Sequence, residues 1–156
     1  MRVIKTISLE YGEMTYVDAG SGPAVLVAHG MSGGYDQGYE TLRGKEEQYR
    51  ILAPSRFGYL GSSVPWDTSP KAQAAAYAQF LDKLGIERTY ILGTSAGGTV
   101  AIRFALDYPE RTLGLILYSS AMPFTEKPAT VKNTKALPLF CATILPCGCF
   151  VRCLSQ

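Results

Sequence analysis

Histidine, thiols and surplus charge are all scarce in this sequence. A single histidine, His29, stands among 156 residues, and the first 140 positions hold no cysteine. No disulfide can therefore staple the main body of the chain, and a thiol-free body of this kind suits a reducing compartment, so a cytoplasmic protein is expected. Fifteen lysines and arginines stand against 13 acidic residues, for a net charge of only +2 with 18% of the chain charged. That balance excludes the basic footprint of a nucleic-acid binder or of a protein held to an anionic membrane. The opening MRVIKTISLEYG carries an early Arg and Lys but lacks the apolar run of a secretory signal. Neither an internal repeat nor a low-complexity tract is present, and the length fits one domain.

What is there is an alternation of strand and helix signals. Val3 to Leu9 and Met14 to Asp18 alternate around the turn residues Tyr11, Gly12 and Glu13, which reads as an antiparallel hairpin at one edge of a sheet. Ala24 to Ala28 (AVLVA) is a continuous apolar run of strand length, the signature of a strand buried on both faces. A helix is expected from about Gln37 to Gln48, a strand at Arg50 to Ala53, a helix from about Lys71 to Leu84 and a strand at Thr89 to Leu92. Ser69 and Pro70 cap the start of the second helix and Gly85 stops it. A third helix runs from Ala96 to about Leu106, and LGLILY (Leu113 to Tyr118) is another buried-type strand. The order predicts an α/β fold: a mostly parallel sheet with a leading antiparallel hairpin and helices on both faces.

Two motifs carry the chemistry. Gly93, Thr94, Ser95, Ala96 and Gly97 match G-x-S-x-G between a strand and a helix, where a serine is held on a tight bend and small neighbours let the chain pass close to itself. The helix start behind Ser95 offers a positive dipole end and free N–H groups where an oxyanion would form. The second motif, His29, Gly30, Met31, Ser32, Gly33 and Gly34, follows AVLVA directly. An oxyanion hole in this architecture takes one N–H from the residue after the serine and one from the loop after the third strand, which names Ala96 and Met31. His29 is expected to be a structural histidine that hydrogen-bonds within its loop, and Gly30, Gly93 and Gly97 are expected to shape the turns.

HGMSGG, then APSRFGYLGSS, then GTSAGG, in this order and spacing, resemble the α/β-hydrolase superfamily, and in particular its esterase, lipase and haloperoxidase-like members. The resemblance covers residues 1 to about 125, taken as the N-terminal half of the core. It implies a serine hydrolase acting on a small-molecule ester or similar acyl compound, with Ser95 as nucleophile and without metal or cofactor. The family members that use an aspartate at the serine's position, epoxide hydrolases and dehalogenases, are disfavoured. The segment from Arg56 to Ser62 resembles the loop that shapes the family's pocket. Triad order in the family is serine, acid, histidine, yet the one histidine here precedes Ser95. Glu126 is the candidate acid, whereas Asp107 and Glu110 belong to a helix end and its turn. Loss of a triad base costs about a million-fold in turnover, so this chain alone is expected to be nearly inert.

The resemblance places LGLILY as a sixth strand, after which the fold is expected to be truncated. It would then be an open apolar edge able to self-associate or to accept a complementing chain. A non-catalytic half-fold that binds a partner, or one half of a split hydrolase, is the alternative to an enzyme. Residues 126–156 are read as a linker and an incomplete cap segment. Ala136 to Leu154 is apolar, but Pro138, Pro146 and Gly148 break it, against a membrane span. Cys141, Cys147, Cys149 and Cys153 have the spacing C-x5-C-x-C-x3-C, which matches no standard zinc pattern.

Overall fold

A computed structural model describes residues 3–120 of the chain. Six strands form one sheet: β1 (Val3–Leu9), β2 (Gly12–Ala19), β3 (Ala24–Ala28), β4 (Arg50–Pro54), β5 (Thr89–Thr94) and β6 (Thr112–Tyr118). Their spatial order is β1-β2-β4-β3-β5-β6. The hairpin β1–β2 is antiparallel and β2 joins β4 antiparallel, after which β4, β3, β5 and β6 run parallel. Among the described residues three α-helices accompany the sheet: α1 (Tyr35–Leu42), α2 (Pro70–Lys83) and α3 (Gly97–Asp107).

The central strands are apolar through their middle residues because both of their faces are covered. Leu26 and Ala28 of β3, Leu52 of β4 and Ile91 of β5 pack with Phe80 and Leu81 of α2 and with Val100 and Phe104 of α3. Their neighbours Val25, Val27, Ile51 and Leu92 turn to the opposite face, where Leu42 and Tyr39 of α1 cover them. This period of two is what a doubly covered strand requires. The Asp18 carboxylate ties the hairpin to the parallel strands, taking Arg50 Nε at 2.9 Å and Nη2 at 3.0 Å, with Lys5 Nζ at 3.1 Å. These bonds, Arg50 foremost, hold the Asp18 pKa below its ordinary value.

Several local expectations hold to the residue. The Ser69 hydroxyl accepts the Ala72 N–H at 3.2 Å as N-cap of α2, with Pro70 in its first turn, and Gly85 follows the helix at φ +66°. Asp107 closes α3 and pairs with Arg103, and Glu110 lies in the 3-10 turn Pro109–Arg111. Other boundaries shift by a residue or two, and the clearest differences are at α1 and β2. Helix α1 starts at Tyr35 and stops at Leu42 rather than running to Gln48, because Arg43 is extended and Gly44 takes φ +84°. Strand β2 begins at Gly12, so the turn is made by the residues just before it. Among the described residues no helix is long and apolar enough to cross a membrane. Glu126, the boundary expected at 125 to 126, the expected cap segment and the four cysteines lie outside the described residues.

Candidate active site

Parallel strands deliver their C-terminal ends to one rim of the sheet, and the site is assembled there. Strand β5 ends at Thr94 and α3 begins at Gly97, so the chain reverses over two residues. Ser95 takes φ +50° at that reversal, a left-handed conformation that costs a non-glycine residue about 1 kcal/mol or more, and its side chain is exposed. The bend is pinned from both sides. Ser95 N–H donates to Tyr118 O at 3.1 Å, and Ser95 O accepts Gly98 N–H at 3.1 Å and the Ser120 hydroxyl at 3.1 Å.

The flanking glycines are required by contact. A Cβ at position 97 would stand 2.0 Å from Ala28 O and 2.5 Å from His29 O, and one at 93 would stand 2.6 Å from Gly98 Cα. The start of α3 thus rides directly on the end of β3, which brings the loop after β3 to Ser95. Gly30 comes close to it: a Cβ built there would lie 3.3 Å from Ser95 Cβ. Met31 follows with its side chain exposed, and Ala96 sits at the start of α3 in right-handed geometry. Among the described residues, neither the Met31 N–H nor the Ala96 N–H donates a hydrogen bond. A cleft of about 230 Å³, lined by Arg56, Tyr59, Gln73, Ala96 and Thr99, opens beside the bend.

His29 is fully buried and both ring nitrogens are engaged. Nε2 accepts the Arg56 N–H at 2.8 Å, so it carries no proton. The proton therefore sits on Nδ1, which donates to Gly30 O at 2.7 Å. Tyr59 stacks edge-on against the ring at 4.8 Å. Burial pushes the His29 pKa down to about 4, with the Gly30 bond acting the other way and the Arg56 charge adding to the fall. The imidazole is neutral near pH 7 and has no free nitrogen with which to take a proton from Ser95.

Four residues absent from the sequence-derived site hold the loop after β3 in place. Gln37 Oε1 accepts Gly30 N–H at 2.7 Å, Asp36 Oδ1 accepts Gly34 N–H at 2.8 Å, and Ser55 Oγ accepts Tyr35 N–H at 2.9 Å. Arg56 Nη2 donates to Gly30 O at 3.0 Å, and its guanidinium lies 5.0 Å from the centre of the Tyr59 ring. Two of them, Ser55 and Arg56, come from the end of β4. Because β4 is the parallel neighbour of β3, the residues just past each strand end must meet. The SRFG run was visible in the sequence, and strand order is the missing piece that turns it into a brace. Among the described residues no three His, Cys, Asp or Glu side chains gather as a metal site requires.

A twisted, mainly parallel sheet with helices on both faces and its glycine-rich loops gathered at the C-terminal strand ends defines an α/β protein whose site lies at that rim. The chain belongs to the alpha/beta hydrolase fold family, whose model matches residues 23–139. An uncharacterized hydrolase of Bacillus subtilis is 37% identical over 136 residues, 86% of this chain and 46% of that protein. A 2-hydroxy-6-oxo-6-phenylhexa-2,4-dienoate hydrolase of Burkholderia cepacia is 36% identical over 106 residues, 64% of this chain and 37% of that one. Among solved structures, an alpha/beta hydrolase fold protein from Nakamurella multipartita superposes with a TM-score of 0.72 at 33% identity, over 81% of this chain and 46% of that one. The chain spans less than half the length of these relatives.

Proposed function

We propose that the site is that of a serine hydrolase acting on an ester or similar acyl compound, with Ser95 as nucleophile and the N–H groups of Met31 and Ala96 holding the oxyanion. The observation that carries this reading is the left-handed backbone at Ser95, a strain that an ordinary strand-to-helix connection has no reason to keep. The bend presents the hydroxyl to solvent at the start of α3, and the Met31 and Ala96 amides are without internal partners among the described residues. Preorganised amides of this kind stabilise charge that develops during acyl transfer.

The one histidine of the sequence does not serve as base to this nucleophile. The one histidine is buried, neutral and saturated, so the chain by itself reacts slowly, retaining what the amides and binding provide. A fluorophosphonate probe tests both parts. Slow labelling of the chain, about a million-fold below that of a complete serine triad and lost in Ser95→Ala, is the expected result. Labelling that survives Ser95→Ala removes the serine from the reaction, and labelling at the rate of a complete triad removes the claim of inertness.

A second reading, a half-fold that binds a complementing chain, draws on β6. It is an edge strand among the described residues, with Leu113 and Tyr118 exposed. In that reading a chain supplying an acid and a histidine pairs with β6 and accelerates the same labelling.

A further inference from the structure

We infer that Arg56 is a positioning residue for the oxyanion site, acting on the Met31 N–H through the Gly30–Met31 peptide. This rests on the reading of Ser95 and Met31 proposed above. The Gly30 carbonyl and the Met31 N–H belong to one planar trans unit, so fixing one fixes the direction of the other on the opposite side. Gly30 O accepts two hydrogen bonds, from His29 Nδ1 at 2.7 Å and from Arg56 Nη2 at 3.0 Å. Gly30 N–H is held in turn by Gln37 Oε1 at 2.7 Å. The peptide therefore cannot turn over without breaking a charge-assisted bond and a buried neutral one, and a flipped peptide would point its carbonyl where the oxyanion must sit.

The two donors also polarise the unit. Hydrogen bonds arriving at a carbonyl draw electron density toward its oxygen, which leaves the N–H on the other side of the same amide a stronger donor. The guanidinium charge of Arg56 is thus felt at the Met31 N–H through the peptide. The arrangement divides the labour within one residue: the Arg56 backbone N–H fixes the His29 ring at 2.8 Å, while its side chain acts on Gly30. Replacing the side chain leaves the histidine's backbone contact in place.

The test compares the 156-residue chain with Arg56→Met, Arg56→Lys and, as a surface control, Arg43→Met. In isotope-labelled protein, Arg56→Met is expected to move the Gly30 carbonyl carbon and the Met31 amide proton upfield, with Arg43→Met leaving both unchanged. The maximal rate of Ser95 phosphonylation by a fluorophosphonate falls about fivefold, while the probe's reversible affinity stays constant. Arg56→Lys keeps the charge with a single point donor and recovers part of the rate, and it decides the matter if the methionine variant does not fold. Unchanged Gly30 and Met31 resonances overturn the inference, as does an unchanged labelling rate. Labelling that persists in Ser95→Ala defeats the parent reading instead, and the resonances then still judge the peptide lock.

Discussion

The loop after β3 and the bend after β5 meet at one point of the sheet rim, and, beyond the hydrogen bonds that pin the bend at Ser95, side chains shape them in opposite ways. The bend is held by what is missing: Gly93 and Gly97 leave no Cβ, so α3 can lie against the carbonyls of Ala28 and His29. The loop is held by what is added, since Gln37, Ser55, Asp36, His29 and Arg56 hydrogen-bond to its amides and carbonyls. A bend built on close contact tolerates no added atom, whereas a loop built on hydrogen bonds is sensitive to the protonation state of its partners. Each half of the candidate oxyanion site inherits its precision from a different kind of force.

The largest effect should come from filling the contact under the bend. Gly97→Ala must push Ala28 and α3 apart, and a loss of about 3 kcal/mol or more is expected in urea unfolding. A loss below about 1 kcal/mol would mean that the helix does not ride on β3 as described.

An intermediate effect belongs to the loop and appears with acid. The His29 pKa is about 4 in the folded chain against an ordinary value of 6.5, so the unfolded chain binds the proton first. The stability this contributes is complete above pH 6.5 and is lost as the pH falls toward 4. Between pH 7.5 and pH 5 the unfolding free energy should drop by about 2 kcal/mol, well before the carboxylates of Asp18 and Asp36, whose pKa values are held low, give up their share. A flat profile over that interval would show that the ring is not buried neutral.

The smallest effect has the opposite sign and separates strain from packing. Ser95→Gly removes the cost of a side chain at φ +50° and should stabilise the fold by about 0.5–1 kcal/mol, while Ser95→Ala leaves stability unchanged. Destabilisation by glycine would show that the left-handed bend is not where the strain resides.

The contrast between loop and bend also explains how much could be read beforehand. AVLVA announces its strand because a strand covered on both faces has no polar positions, and β3 is buried at every residue. The equally apolar LGLILY forms a strand at the sheet edge with none of its described residues fully buried, so apolar composition marks the strand without fixing its burial. The bend was legible for a similar reason: a glycine that a contact demands is written in the sequence at the position of the contact. The α1 boundary was misread because its end depends on the left-handed φ of Gly44, and glycine inside a polar run such as RGKEEQ is compatible with helix or turn. His29 was legible as a structural residue, but its partner was not. Arg56 lies 27 residues away and reaches His29 and Gly30 only because β4 and β3 are parallel neighbours, a fact of sheet order that periodicity does not carry.

The central claim, that the Ser95 hydroxyl is flanked by two amides aimed at one point, is tested most directly by a crystal structure of the chain after prolonged reaction with a small fluorophosphonate. The account predicts a phosphonyl group on Ser95 with its phosphoryl oxygen within about 3.2 Å of both the Met31 and the Ala96 nitrogens. A phosphoryl oxygen turned to solvent, or a Gly30 carbonyl facing it in place of the Met31 N–H, would contradict the account.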